Sequence, residues 1–415
     1  MVRVPHQSNN PVQNINMRRT LIIAAIALVI LGLGVAAYFY FFTGSAGVAV
    51  APSGTANLPT AGEGALPTIG NSATPNAVPG TPVAVSSRLV KISAGPIVPG
   101  EAVINRKGVT ASSSPDVAVN FIERQSGNVF SYSQLTRTLT RTSNKTIPGI
   151  QSASWLPDAS FAFIRYLSGT DFSTINTYAL PVNGNGGFFL SQDLAGVAVA
   201  STSVLTLASG VNGSTASLTR TDGTHAAPAF ATLLSALRIS FAGKSQYLAF
   251  TKPSATLSGD VYLVDSTGRF SLIAGPLNGL SALASPSGKW VLVSYTLDTA
   301  LQMELVHTVT GETISLPVAT IADKCVWAAD DSAIYCGIPV DPLSSSYPDD
   351  WYQGAVSFND RIWKIQVSGR YAQLVLDFPK ETQDMLDVES PAIDPAGTVL
   401  VFINKNDGSL WSYSL

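Results

Sequence analysis

From Arg88 onward the chain repeats one arrangement of apolar and polar positions: a short apolar strand, a turn built on Pro, Asp, Ser or Gly, and then a strongly apolar strand. Copies read SASWLPDASFAFIRYL around 153–168, RISFAGKSQYLAF at 238–250, ALASPSGKWVLVSY at 282–295, KCVWAADDSAIYCGI at 324–338 and SPAIDPAGTVLVFI at 390–403. SSSPDVAVNFIE at 112–123 is a further copy, and AGVAVASTSVLTLA at 195–208 is a degenerate one. The turn positions Ser114, Pro157, Ala242, Pro286, Ala329 and Pro395 lie 43, 85, 44, 43 and 66 residues apart. The second gap is two units with the degenerate copy inside it, and the last is one unit carrying an insert. Short apolar runs bounded by turn residues are strands buried on both faces, and a repeat of roughly 40–45 residues is the length of a four-stranded propeller blade. The pattern predicts an all-β domain over 88–415, a seven-bladed β-propeller, with six or eight blades or a pair of β-sandwiches as the alternatives.

Two copies align beyond the turn. Phe121–Ser133 reads FIERQSGNVFSYS and Phe402–Ser414 reads FINKNDGSLWSYS, each a strand, a Gly-containing turn and a strand with an aromatic residue. Leu415 follows the third strand of the last unit, which leaves that unit one strand short. RLVKIS at 88–93 is placed to supply the missing outer strand and to cover an edge that would otherwise invite aggregation.

The S/D-P-x-G turn before an apolar strand, with DVYLVDSTG at 260–268, resembles the TolB-type and WD-repeat propellers. Trp155 and Trp327 precede their turns as in TolB-like repeats, whereas the other copies lack that Trp. An anchor, a linker and a propeller with a YPDDWYQG insert together resemble membrane-anchored propeller proteins of bacteria. The resemblance implies a fold and a topology. It carries no activity, because function resides in sites and not in folds.

The N-terminal pattern is different in kind. Thr20–Phe42 is 23 residues without a charge, and at about 1.5 Å per residue it spans a hydrocarbon core of roughly 30 Å with some tilt. Tyr38 and Tyr40 form an aromatic belt at its far end, while Arg18 and Arg19 flank the near end and Glu63 is the only charge in 43–87. The positive-inside rule then predicts a cytoplasmic tail over 1–19, an uncleaved single-pass signal-anchor helix over 20–42, and an extracytoplasmic remainder on the cell surface or in the periplasm. Residues 43–87 are almost wholly small, polar or Pro and contain no aromatic, so they predict a disordered linker with an end-to-end distance of roughly 35–40 Å.

Composition narrows the chemistry. The net charge is −3 and no Lys/Arg run occurs beyond Arg18–Arg19, which excludes the basic footprint that nucleic acid requires. The histidines are His6, His225 and His307, and no HExxH, His/Cys metal spacing, P-loop or GxSxG elbow is present. The sequence therefore predicts no catalytic set, no metal site and no cofactor. Cys325 and Cys336 flank a turn centred between Asp330 and Asp331, so a hairpin there places them opposite one another as a candidate disulfide. Two buried free thiols are the alternative.

The insert at 340–360, VDPLSSSYPDDWYQGAVSFND, falls between the second and third strands of its unit. Tyr347, Trp351, Tyr352 and Phe358 supply amphipathic rings, and Asp349, Asp350 and Asp360 supply acceptors. On a rigid scaffold such a loop is a candidate ligand-binding surface; the competing reading is that its rings fold back as a plug. The expected function is a membrane-tethered module that binds a protein, a peptide or an envelope polymer. A carbohydrate- or cell-wall-active protein using the same face is the alternative.

Overall fold

The computed structural model describes residues 88–107, 115–298, 300–341 and 346–415. All of them belong to the second of two units into which the chain divides, Pro82–Leu415. The predicted anchor Thr20–Phe42, its flanks Arg18, Arg19, Tyr38 and Tyr40, and the 43–87 linker lie outside the described residues. Among the described residues no helix is long and apolar enough to cross a membrane.

The domain is all-β. Among the described residues its strands form antiparallel meanders in which each strand pairs with the next along the chain: five four-stranded sheets and one of seven strands. In chain order the first sheet covers 102–141, the second 150–189 and the third 194–232. The seven-stranded fourth sheet covers 237–315, the fifth 325–377 and the sixth 388–414. The sixth is completed by the strand Leu89–Lys91, which pairs antiparallel with Leu410–Ser414 in the register Leu89↔Tyr413. The predicted closure by RLVKIS is thus present, and it ties the start of the domain to its end.

The second strand of a sheet is its most apolar run where both faces are covered. Val399–Asn404, reading VLVFIN, is buried at every position. The cores lie between neighbouring sheets. Ile122, Val129, Ile150 and Ile164 join the first sheet to the second, and Leu205, Leu207, Phe230 and Tyr247 join the third to the fourth. Tyr335, Ile362, Phe402 and Tyr413 join the fifth to the sixth. Val119, Phe121, Val401 and Ile403 join the sixth back to the first, so the circuit closes.

The recurring turns work through their acids. Asp394 is fully buried and accepts the backbone N–H of Ala396, Thr398 and Val399, while Gly397 takes φ +70°, a conformation that costs Gly least. Asp158 and Asp330 make the equivalent bonds to Ser160 and Ser332.

One strand was not foreseen. Phe270–Ala284 pairs along its first part with Ser258–Val264 and along its last part with Trp290–Leu297, and Asn278 pairs with both Ser258 and Thr296. It ends one four-stranded unit and begins the next, which merges two units into a single hydrogen-bonded sheet.

Candidate functional site at the mouth of the channel

The 340–360 insert leaves the strand Ala333–Pro339 and returns in Asp360–Gln366. It carries one short helix, α1 (Asp349–Gln353), ended by Gly354 at φ +74°. Three of the rings nominated for ligand contact are buried: Tyr347, Trp351 and Phe358 pack with Ile321 in one apolar cluster. Tyr347 and Phe358 meet edge to face at 5.6 Å between centroids. Burying three aromatic side chains stabilises the fold by several kcal/mol, of order 1.5–3 kcal/mol for each, whereas a ligand would have to displace them.

Asp360 is also removed from solvent. It is the first residue of the returning strand and is fully buried against Lys324. For Tyr347, Trp351, Phe358 and Asp360 the expectation of a ligand surface is therefore corrected: they form a plug. Asp349 accepts the Ala255 N–H at 2.9 Å and so fastens α1 to the fourth sheet. Asp350 is half-buried in the same helix. Tyr352 is half-buried, and with the edge of Trp351 it lines a cavity on the side of the insert away from Tyr347 and Phe358.

Beneath the plug is an ion triad. Lys324 Nζ lies 2.8 Å from Asp360 Oδ2 and 2.6 Å from Asp387 Oδ1, with every side chain at 0% exposure. Asp387 also accepts the Trp351 indole N–H, at 3.0 Å to Oδ2, and the Phe358 backbone N–H at 3.0 Å. Removal from water pushes the Asp360 carboxyl up to about 6, against the opposing pull of Lys324.

The channel side has different chemistry. Arg238 Nη1 donates to Asp323 Oδ2 at 2.5 Å, and the Tyr352 hydroxyl donates to the same oxygen at 2.7 Å. The Arg238 guanidinium sits 4.8 Å from the centre of the Tyr352 ring, a cation–π distance. Burial opposes the charge of Arg238, but Asp323 and Tyr352 hold its pKa above the ordinary arginine value. Burial together with the Asp323 charge raises the Tyr352 hydroxyl well above the ordinary tyrosine range.

Arg238 and Asp323 line a cavity of about 510 Å³ together with Arg165, Lys252, Ser152 and Ser154. Arg165 donates through Nη2 to the Leu194 carbonyl, while its buried Nε has no hydrogen-bond partner. Three cations face one acid here, so the cavity carries excess positive charge. An adjoining space of about 320 Å³ is shared by Arg238, Asp323, Tyr352 and Glu389. A larger cavity, about 720 Å³, opens among the Pro157, Gly243 and Pro286 turns, but Lys244 is its only charged lining residue. Chemistry, not volume, singles out the Arg165–Arg238–Lys252 mouth.

Cys325 and Cys336 are directly opposed in the register and joined as a disulfide. His307 accepts the Val309 and Thr310 N–H groups at Nδ1 and stands edge-on to Trp290, which accounts for it structurally. Among the described residues no group of three or more His, Cys, Asp or Glu side chains could hold a metal ion. Sequence reading missed Arg165, Arg238, Asp323, Lys324 and Asp387. The available signal was a lone charge in an otherwise apolar strand, as in FAFIRYL and RISF.

No protein-family model and no curated protein sequence matches the chain. Among solved structures it is similar to oligogalacturonate lyase from Vibrio parahaemolyticus, at 9% identity and a TM-score of 0.54 over 79% of this chain and 93% of that one. An oligogalacturonate lyase in complex with manganese aligns at 10% identity and a TM-score of 0.51, over 77% of this chain and 98% of that one. TolB from Acinetobacter baumannii aligns at 10% identity and a TM-score of 0.40, over 76% of this chain and 80% of that one. At such identities the likeness is one of fold, and the fold is that of a β-propeller.

Proposed function

We propose that the chain is a membrane-tethered, extracytoplasmic binding module whose propeller takes an acidic peptide segment of a partner protein at the Arg165–Arg238–Lys252 mouth. The observation that carries this reading is the excess of cations in one cavity, with the Arg165 Nε left without a partner. A carboxylate or other anion supplies the acceptors that such a set lacks. Read as two four-stranded units sharing Phe270–Ala284, the seven-stranded sheet makes the ring seven-bladed. The Thr20–Phe42 segment supplies the tether, with the N-terminus inside.

The test is titration of the full chain in detergent with a glutamate-rich peptide at low and high salt. Binding that weakens with salt, and that falls roughly tenfold or more in Arg238→Ala, corresponding to about 1.4 kcal/mol or more, supports the reading. Equal binding by the wild type and the Arg165→Ala/Arg238→Ala double variant rejects it. Fractionation that leaves a Thr20–Phe42 deletion in the membrane pellet rejects the tether.

A second reading is an acidic glycan as the ligand. It draws on the same cationic mouth, and oligogalacturonate, named for two of the similar structures, is itself a polyanion. Binding of polygalacturonate and not of the peptide, lost in the same variants, selects it.

A further inference from the structure

We infer that Lys324 and Asp360 become joined by an intramolecular isopeptide bond, formed by the protein itself with Asp387 as proton acceptor. The inference rests on the triad beneath the plug and is independent of what the channel binds.

Three features of the triad match what amide formation requires. The first is approach: Lys324 Nζ is 2.8 Å from Asp360 Oδ2 and 3.0 Å from Oδ1, in direct contact with both oxygens of the carboxyl it would attack. The second is a division of labour between the acids. Asp387 accepts Lys324 Nζ at 2.6 Å, together with the Trp351 indole N–H and the Phe358 N–H, so an acceptor oxygen stands in direct contact with the amine whose proton must leave. Asp360 also accepts the Val388 N–H at 2.7 Å to Oδ2, placed where negative charge develops on the attacked carboxyl. Burial raises Asp360 toward the neutral acid, the form with a competent leaving group; the charged groups facing it are Lys324 and Asp387.

The third feature is the surroundings. The Trp351 and Phe358 rings stand 5.2 and 5.4 Å from Nζ. Opposite, a Cβ at Gly337 would fall 2.8 Å from Asp360 Oδ2 and 2.5 Å from Val388 Cβ, so the backbone closes the remaining side. A dry site favours loss of water over its return, and an ammonium held against a carboxylate in such a site carries a desolvation penalty. Condensation removes that penalty.

The step balances. Lys324 Nζ, as the ammonium, passes one proton to the Asp387 carboxylate and attacks Cγ of the neutral Asp360 acid. A C–N bond forms and the Cγ–OH bond breaks. The departing hydroxyl takes a second proton from the nitrogen and leaves as water, the amide keeps one hydrogen, and Asp387 keeps the proton it received. No oxidant, reductant or co-reactant enters.

The bond would cross-link the 3-10 turn Ala322–Lys324 to the strand Asp360–Gln366 and enclose the Cys325–Cys336 loop. It would thereby lock the insert's return strand to the start of its own sheet.

The experiment is intact-mass measurement of the purified full chain after denaturation and reduction of the disulfide. The expected mass is one water molecule below that of the sequence, with proteolysis giving a branched peptide that joins the Lys324 and Asp360 segments. Lys324→Arg keeps the charge and returns the full sequence mass. Asp360→Asn stays cross-linked, losing ammonia in place of water and giving the same product mass as the wild type. Asp387→Asn retains the unlinked mass. A wild-type chain of full sequence mass with a linear Lys324 peptide overturns the inference and leaves the triad an ion cluster only; that measurement needs no variant to fold.

Discussion

Asp323 and Lys324 are consecutive in one 3-10 turn, and Trp351 and Tyr352 are consecutive in one short helix, yet each pair divides between two environments. Lys324 and Trp351 meet Asp387 in a site closed to water, and Asp323 and Tyr352 meet Arg238 at the edge of the channel. The chemistry on the two sides is alike: a cation, an acid and an aromatic donor. What differs is desolvation. Fully buried, the set becomes an obligatory part of the fold, because any member removed leaves another without compensation. About one-third exposed, as Arg238 and Asp323 are, it remains open to exchange with a ligand.

The largest test of this contrast is Asp387→Ala set against Asp323→Ala in urea unfolding. The first is expected to cost about 3–5 kcal/mol by breaking a fully buried ion cluster and leaving the Trp351 and Phe358 N–H groups without their acceptor, the second about 1 kcal/mol or less because water screens its partner. Equal losses would erase the distinction between the two sites. Next is Trp351→Phe, which keeps a ring in the plug and removes the N–H held by Asp387. It is expected to lower unfolding stability by about 1–3 kcal/mol while acidic-ligand affinity stays unchanged.

Glu101 tests desolvation of an acid with no cation beside it among the described residues. Both of its carboxyl oxygens are buried without a hydrogen-bond partner, and burial, then the nearby Glu389 charge, raises its pKa well above the ordinary range. The folded state therefore holds a proton that the unfolded chain has already released. Stability from this group is fully present below the ordinary glutamate range and declines as pH rises toward the folded pKa. Glu101→Gln is expected to flatten that decline in melting temperature against pH; an unchanged slope would show that Glu101 does not contribute. Tyr352→Phe is expected to cost about 1 kcal/mol or less, with weaker anion binding as Asp323 gains freedom to compete for Arg238.

Much of the architecture was legible before any coordinates. The turn spacing depends on local chemistry, Asp or Ser accepting nearby backbone N–H groups and Gly adopting positive φ, so each turn announces itself within a few residues. The midpoint of the Cys325–Cys336 hairpin and the strand-short last unit follow from the same arithmetic. The shared strand Phe270–Ala284 was not legible: GPLNG reads as a break, and pairing on both sides carries the strand through it.

The insert marks the limit most clearly. YPDDWYQG declares a loop rich in rings and acids, and nothing local says whether Trp351 faces solvent or core. Its burial depends on Lys324, 27 positions earlier, and Asp387, 36 positions later, arriving at one point. The sequence by itself determined the all-β repeat, the turns and the pairing that closes the ring, because these follow from backbone hydrogen bonding and short-range apolar patterning. Only the tertiary structure decided which charges are sealed away and which line the channel, because desolvation belongs to the packed assembly and to no single stretch of chain.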